Sequence, residues 1–351
     1  MHLTQAADSS IRMSLPLQTD VSLKKYTTLQ VGGVASRFVE VGTEKDLEGA
    51  VQYAKDNDLP ITVFAGGTNV LVSDSGVQGL VLRMVMRGIT TEIQSTDVLL
   101  TASAGEVLDD VVAYAVEHRY WGLENLSHIP GTVGATPVQN VGAYGVEVKD
   151  LIQTVRVYNT EEQKFEILTN EDCSFTYRDS VFKTPEGKKY IVVSVTYVLS
   201  TQENPRLEYK DLQNQFQEAP SAQAVREAVI AIRSKKFPDW KVVGTAGSFF
   251  KNPIVPRAKF EELSVQYPGL PGFDVEDGFV KLPLGWILDK VLHLKGEGTE
   301  HVGTYQGQAL VLINKGAATA TDIVSFAEDI MQKVYSETGI EIQWEVTKIG
   351  F

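Results

Sequence analysis

From Asn125 to Val146 the chain reads Asn-Leu-Ser-His-Ile-Pro-Gly-Thr-Val-Gly-Ala-Thr-Pro-Val-Gln-Asn-Val-Gly-Ala-Tyr-Gly-Val, without a single Asp, Glu, Lys or Arg, in a protein that is 22% charged. Gly131, Gly134, Gly142 and Gly145 punctuate it. Glycine at that density opposes a regular helix or strand, because it loses the most backbone freedom on ordering. The missing charge opposes a solvated surface loop. Two structures remain. One is backbone running close to a large, flat, buried ligand, with main-chain N–H groups and hydroxyls as its polar contacts; the other is a tightly packed buried turn.

A second glycine cluster favours the ligand. In Pro60-Ile-Thr-Val-Phe-Ala-Gly-Gly-Thr-Asn-Val-Leu-Val-Ser-Asp74 a buried strand, Ile61–Ala65, leads through Gly66-Gly67 into another short apolar run. Gly67, Thr68 and Asn69 can present consecutive N–H groups to an anion. Neither Gly-x-Gly-x-x-Gly opening a helix nor Gly-x-x-x-x-Gly-Lys-Ser/Thr occurs. Gly296-Glu-Gly298 meets His301 where the third glycine would fall, and no strand precedes it. The expectation is a diphosphate site of another design.

The 351 residues suffice for two domains with separate cores. Cys173 is the one cysteine, which excludes an intramolecular disulfide and a cysteine-based metal cluster. The five histidines are scattered without ligand spacing, so no metal is expected. The first twenty residues lack an apolar core segment and no apolar run reaches membrane-spanning length, giving a cytoplasmic chain with no membrane partner as the expectation. A net charge of −13 argues against nucleic acid and requires that an anionic ligand be met by a local cluster of cations. Arg233-Ser-Lys235-Lys236, Arg178, Lys251 and Lys281 are candidates; a basic run at a helix end is equally a solvated terminus.

Thr43 with Asp46 reads as a helix start, followed by Leu47, Ala50, Val51 and Ala54 at helical spacing. A second helix is expected from Val107 to about His118. Strands follow at Thr154–Tyr158, Lys164–Leu168 and Tyr190–Leu199, the last with Ile191, Val193, Val195, Tyr197 and Leu199 on one face. This half reads as α+β with two small sheets. Polar Ser200–Pro205 is the linker candidate. Beyond it come a helix over Gln223–Lys235, a strand over Ala309–Ile313, a helix over Asp322–Thr338 and a strand over Ile340–Val346, a strand–helix–strand return.

Gly244-Thr-Ala-Gly-Ser248-Phe-Phe-Lys-Asn252-Pro253 combines small residues with polar tips. It is not a Gly-x-Ser-x-Gly elbow, and no histidine or acid stands near Ser248 in sequence, so hydrolase chemistry is disfavoured. Taken in order, the two glycine clusters, Tyr177-Arg178-Asp179-Ser180-Val-Phe-Lys, Gly247-Ser248-Phe-Phe-Lys-Asn-Pro and the terminal Glu345-Val-x-x-Ile-Gly resemble those of the bacterial UDP-N-acetylenolpyruvoylglucosamine reductase family, from about Tyr26 to Gly350.

The resemblance implies an α+β fold: a two-lobed FAD-binding domain of the vanillyl-alcohol-oxidase type over 22–201, and a C-terminal α/β substrate-binding domain over 205–351. It implies non-covalent FAD, NADPH as hydride donor and UDP-N-acetylglucosamine enolpyruvate as substrate, in a monomer. NADPH would reduce FAD, and the enolpyruvyl ether would take hydride at its terminal alkene carbon. Arg178 and Glu345 would stabilise the enediolate-like anion, with Glu345 protonated or sharing a proton, and Ser248 would protonate the neighbouring carbon. Gly66, Gly67, Thr68, Asn69, Gly131, Gly134, Gln139, Asn140, Gly142 and Arg233 would hold FAD. Tyr209, Lys236, Asn252, Lys281 and Gln308 would hold the sugar nucleotide.

The chain departs from the family pattern at two positions. Phe273 falls where a diphosphate-binding tyrosine is common, with Tyr267 as a nearby substitute, and Thr347 falls where arginine is common. The rival readings are a flavin-dependent sugar or alcohol oxidase, for which His128 would be the tether, and a catalytically silent sensor, which would have lost Ser248, Arg178 or Glu345.

Overall fold

In a computed structural model, which describes residues 16–275 and 278–351, the helix expected after Thr43 runs Glu44–Asp56. Thr43 Oγ1 accepts from the Asp46 N–H at 3.1 Å, and Asp46 Oδ2 accepts from the Thr43 N–H at 2.9 Å. This reciprocal cap satisfies two N–H groups that a helix start leaves without partners. Leu47, Ala50, Val51 and Ala54 are buried as their spacing predicts. The first fifteen residues, and with them most of the stretch read for an apolar segment, lie outside the described residues.

The helix covers a sheet ordered Gln18–Ser22, Val34–Val41, Val77–Met84, Ile61–Phe64, whose last three strands are parallel. A second sheet is antiparallel throughout, ordered Lys164–Thr169, Ile152–Asn159, Tyr190–Ser200, Asp97–Ser103, Ile89–Gln94. Helix Leu108–Glu117 packs beside it, and one apolar core runs through both lobes, from Val39 and Leu80 to Val155 and Val195. The alternation in Tyr190–Ser200 buries Tyr197 completely, and its hydroxyl meets Thr136 Oγ1 at 2.8 Å. The middle of the charge-free stretch is thereby fastened to the sheet centre.

After the polar turn at Ser200–Pro205, helix Ala222–Lys236 leads to a sheet ordered Gly244–Ser248, Gln308–Asn314, Val302–Tyr305. Helix Ala320–Thr338 covers it through Ile323, Ala327, Ile330 and Val334. A smaller sheet, ordered Ile254–Pro256, Phe279–Lys281, Phe273–Asp274, stands at the side.

The end of the chain differs from expectation. Ile340, Ile342 and Val346 are buried, as their alternation indicates, but Ile340–Val346 is not a strand. Alternation reports which side chains are covered, not whether a neighbouring strand is available to pair. Thr347–Ile349 is the strand instead, and it pairs parallel with Val70–Val72 of the first lobe. The chain therefore returns across the expected boundary at 205, and the core beneath helix Ala320–Thr338 takes in Leu29, Val31 and Leu71. The boundary at residue 22 likewise cuts through the strand Gln18–Ser22.

Asp74 joins the two parts from the other side. Its carboxylate accepts from the N–H groups of Ala320 at 2.8 Å and Thr321 at 2.9 Å, and from the Thr321 hydroxyl at 2.9 Å, at the positive end of a helix. Partial burial disfavours the ionised carboxylate, but these hydrogen bonds outweigh it and hold the group below its ordinary value. The folded state thus gains stability above the unfolded carboxylate range that fades as pH falls through the lowered value. Asp74→Ala should lose about 0.5–2 kcal/mol in denaturant titration at pH 7. The gap to the native protein should narrow only below about pH 4; a gap constant down to pH 3.5 would refute the assignment.

Candidate active site

The two glycine clusters meet face to face. A Cβ on Gly66 would lie 3.1 Å from the Cα of Gly131, and one on Gly131 would lie 3.0 Å from Thr68 Oγ1, so the loops touch and a side chain at either glycine would press on the other. Thr68 Oγ1 ties them by donating to the Pro130 carbonyl at 3.2 Å. The entry to the second loop is held at both backbone groups of His128, which sits at φ 59°. Its N–H donates to Asp109 at 2.5 Å, and its carbonyl accepts from Arg233 Nε at 3.0 Å. Arg226 clamps Asp109 with two bonds of 2.5 and 3.0 Å. Of the basic run, then, Arg233 and Lys236 turn inward on one helix face while Lys235 is the solvated member.

The C-terminal segment crosses the loops. The carbonyl of Glu345 accepts from Asn69 Nδ2 and from Gln139 Nε2, each at 3.2 Å, and the Thr347 N–H donates to the Asn69 carbonyl at 3.0 Å. On its other flank Glu345 N–H donates to the Phe249 carbonyl at 2.9 Å, and Lys251 N–H to the Gln343 carbonyl at 2.9 Å. Phe249 and Trp344 pack with ring centroids 4.7 Å apart and lock the two segments side by side. Ser248 is the residue before that anchor. The strand register slips between Thr245 and Ser248, with Gly247 at φ 77°, and such a bulge re-aims the side chain that follows it.

Arg178 Nε lies 3.0 Å from Glu345 Oε1, and both side chains are largely buried. The Nε–H is not aligned on that oxygen and has no hydrogen-bond partner within the protein, while Nη2 donates to the Gly142 carbonyl at 2.8 Å. A Cβ on Gly142 would lie 2.8 Å from Glu147 Cγ, 3.0 Å from the Val146 carbonyl oxygen and 3.2 Å from Arg178 Nη1, so glycine suits the position. Burial pushes the Glu345 carboxyl above its ordinary value, against the pull of Arg178, Lys183 and Lys251. A carboxyl biased toward its protonated form beside a guanidinium can donate to, and share, a developing negative charge.

Next to this pair, Tyr177 lies under the Lys281 ammonium at 5.0 Å, and Asn252 Oδ1 accepts from the Leu284 N–H at 2.9 Å. Gln308 packs its amide against Gly285, where a Cβ would sit 2.6 Å from Oε1. Tyr209 meets the buried Tyr144 edge-on at 5.1 Å, with Lys236 over its ring at 5.6 Å and paired to Asp211 at 2.5 Å. The side chain of Asn140 is engaged within the protein. Its amide is spent on Thr176, Glu147 and the Lys149 N–H, all within the protein, so it shapes the turn that carries Arg178. The hydroxyl of Tyr267, the nearby substitute for a tyrosine at Phe273, is bonded to Glu337 at 2.7 Å. Tyr177 and Lys183 are the members that sequence reasoning left without a role, their place in the quoted motif being the available signal; Lys251, a candidate cation, faces Glu345.

Four buried side-chain polar atoms among the described residues lack partners: Asn125 Oδ1, Thr132 Oγ1, Gln139 Oε1 and Arg178 Nε. All four lie in or against the charge-free stretch, and each such atom costs about 1–3 kcal/mol when unsatisfied. Backbone this closely packed, with the Thr132 hydroxyl and the Gln139 amide oxygen unpartnered beside it, fits a flat polar cofactor such as a flavin dinucleotide lying along the two loops. Taken with the two-lobed α+β architecture, this defines the class: an FAD-dependent oxidoreductase.

The comparisons narrow it further. Residues 35–164 match the family model of an FAD binding domain, and residues 238–349 match that of the UDP-N-acetylenolpyruvoylglucosamine reductase C-terminal domain. The chain is 39% identical to the protein of that name from Porphyromonas gingivalis, over 95% of this chain and 100% of that one. It is 40% identical to the one from Neisseria meningitidis, over 94% and 96%. The solved UDP-N-acetylenolpyruvylglucosamine reductase of Thermus caldophilus shares the fold, with a TM-score of 0.65 at 24% identity over 95% of this chain and 98% of that one. The chain belongs to the UDP-N-acetylenolpyruvoylglucosamine reductase family. The oxidase alternative gives way to that assignment.

The Gly66–Asn69 loop carries no residue able to bond covalently to flavin, and Cys173 is buried away in the core. Acid precipitation of the yellow protein should release all its flavin to the supernatant; flavin held in the pellet would point to a tether at His128.

Proposed function

We propose that the protein reduces UDP-N-acetylglucosamine enolpyruvate to UDP-N-acetylmuramate for peptidoglycan synthesis, with FAD as cofactor and NADPH as reductant, acting as a monomer in the cytoplasm. No helix among the described residues is long and apolar enough to cross a membrane. The observation that carries the reading is the buried Arg178–Glu345 pair, 3.0 Å apart, hydrogen-bonded through its backbone to the segment that bears Ser248. We divide the chain into an FAD domain over 22–201 and a substrate domain over 205–351, the latter returning its last strand to the former.

Gly66, Gly67, Thr68, Asn69, Gly131, Gly134, Gln139 and Gly142 line the place of the cofactor, with Arg233 fixing the loop entry. Bound FAD supplies hydride transfer, from NADPH to the terminal alkene carbon of the enolpyruvyl ether. Adding hydride there moves the alkene electrons toward the substrate carboxylate, and the Arg178 guanidinium and the protonated Glu345 carboxyl stabilise that charge. Preorganised donors of this kind are each worth about a hundred- to a thousandfold in rate. The Ser248 hydroxyl then gives its proton to the adjacent carbon and completes a net addition of hydride and proton across the double bond. A serine hydroxyl is a weak acid, so the step requires the strongly basic carbon acceptor that the first step creates. Lys281, Asn252 and Gln308 on one side, and Tyr209 with Lys236 on the other, supply cationic and polar contacts to the sugar nucleotide.

Lys236→Ala removes a charge-assisted contact worth roughly 1.5–3 kcal/mol. The KM for the sugar nucleotide should rise tenfold to a hundredfold while flavin reduction by NADPH changes far less; an unchanged KM would return Lys236 to its pairing with Asp211 alone.

Ser248→Ala separates the two halves of the cycle. Flavin reduction by NADPH asks no proton donor at the sugar site and should survive. Reoxidation by the enolpyruvyl substrate should slow by about a hundred- to ten-thousandfold, the range of general acid–base catalysis. Rapid-mixing measurement of each half decides it, and equal slowing of both halves would refute the proton-donor role.

A further inference from the structure

The motif that begins at Tyr177 ends on Lys183, a residue to which the roles above give no task. Lys183 closes the short helical turn Val181–Lys183 and is half-buried, with Nζ donating to the carbonyl of Arg178 at 2.8 Å. That carbonyl belongs to a residue at φ 56°, a left-handed conformation disfavoured for side chains with a Cβ. The rest of the turn is fastened elsewhere. Thr176 and Asp179 exchange backbone bonds of 3.1 and 3.2 Å, and Ser180 Oγ donates to the Val138 carbonyl at 2.9 Å. At Arg178 itself the ammonium of Lys183 supplies the bond.

The charged surroundings show what else the ammonium does. Lys183 is faced by Arg178 and Asp179 on its own turn, by Lys251 from the Ser248–Asn252 segment, and by Glu345 from the C-terminal segment. Glu345 in turn is faced by Arg178, Lys183, Lys251 and the Tyr177 ring. Burial, Lys251 and Arg178 push the Lys183 ammonium toward neutrality, while Asp179 and Glu345 oppose them. A cation kept against desolvation beside another cation is more than a solvated surface residue.

We propose that Lys183 is a positioning residue. It holds the left-handed turn that brings the Arg178 guanidinium to Glu345, and its charge reinforces the field in which anionic character builds up beside that pair. The inference rests on the proposed roles of Arg178 and Glu345.

Lys183→Met removes donor and charge at similar length, Lys183→Gln keeps a donor without the charge, and Lys183→Arg keeps the charge. Two readouts on the FAD-loaded protein test them. One is rapid-mixing kinetics of each half-reaction. The other is the titration of the Glu345 carboxyl, followed by carbon NMR with labelled glutamate and assigned with Glu345→Gln. Lys183→Met should slow reoxidation by the enolpyruvyl sugar nucleotide roughly tenfold to a hundredfold, the effect of a small misplacement at a reacting centre, and leave reduction by NADPH unchanged. In the Met and Gln variants Glu345 should titrate at higher pH, because a neighbouring cation has gone. Lys183→Arg should restore both readouts. Should Lys183→Met fail to fold, Lys183→Gln carries the same two measurements. A Glu345 titration unmoved in the neutral variants, or parallel slowing of both half-reactions, would overturn the proposal. If the native enzyme is not reoxidised by the sugar nucleotide, the substrate reading fails, and the Glu345 titration still decides whether Lys183 acts on that carboxyl.

Discussion

The carbonyl oxygen of Glu345 is the point on which the site is assembled. It receives side-chain amides from both glycine-rich segments, Asn69 from one and Gln139 from the other. The peptide units on either side bind the first lobe, through Thr347, and the Ser248–Asn252 segment, through Glu345 N–H. Three stretches far apart in sequence are therefore held to one residue whose own side chain meets Arg178. Parallel pairing of Thr347–Ile349 with Val70–Val72 makes that arrangement part of the fold rather than a contact between independent domains.

The electrostatics follow from this convergence. A chain with a net charge of −13 collects Arg178, Lys183, Lys251 and Lys281 around one cleft, so the site opposes the field of the rest of the molecule. Two opposing effects act on Glu345: desolvation raises its proton affinity and the cations lower it. Desolvation prevails. The cleft therefore contains a carboxyl inclined to keep its proton amid an excess of positive charge, which complements an anion that exists only during reaction. A fully ionised Glu345 would repel that anion and neutralise Arg178 before substrate arrived.

Much of this was legible in the residues. The charge-free run of Asn125–Val146 and the Gly66-Gly67 turn announced closely approaching backbone, and the facing glycines Gly66 and Gly131 are the geometric form of that signal. The caps and apolar spacing after Thr43 gave the helix Glu44–Asp56 to within a residue or two. Strands such as Val34–Val41 and Val77–Met84 were not picked out, because the latter is buried on both faces and shows no alternation. The strand expected over Ile340–Val346 has the right burial but pairs only at a single antiparallel bridge, Trp344 with Phe250, a fact about tertiary topology that local pattern does not contain. The surroundings of Asn140 and Tyr267 were hidden for the same kind of reason: composition says that an amide or hydroxyl is present, and only the fold says that Thr176 or Glu337 engages it.

Preorganisation of the loops has a stability counterpart. Asn125 Oδ1, Thr132 Oγ1 and Gln139 Oε1 are buried without partners because the backbone around them is held by other interactions. These include Tyr197 on Thr136, Arg226 and Asp109 on the His128 N–H, and Arg233 on its carbonyl. None of those fastenings touches the orphaned atoms, so the loops cannot relax to satisfy them without breaking bonds to the sheet and to helix Ala222–Lys236. Polar atoms left unpaired by a framework held elsewhere are available to a ligand. Binding the ligand then recovers free energy that folding alone leaves unrealised, and so couples cofactor affinity to the stability of both lobes.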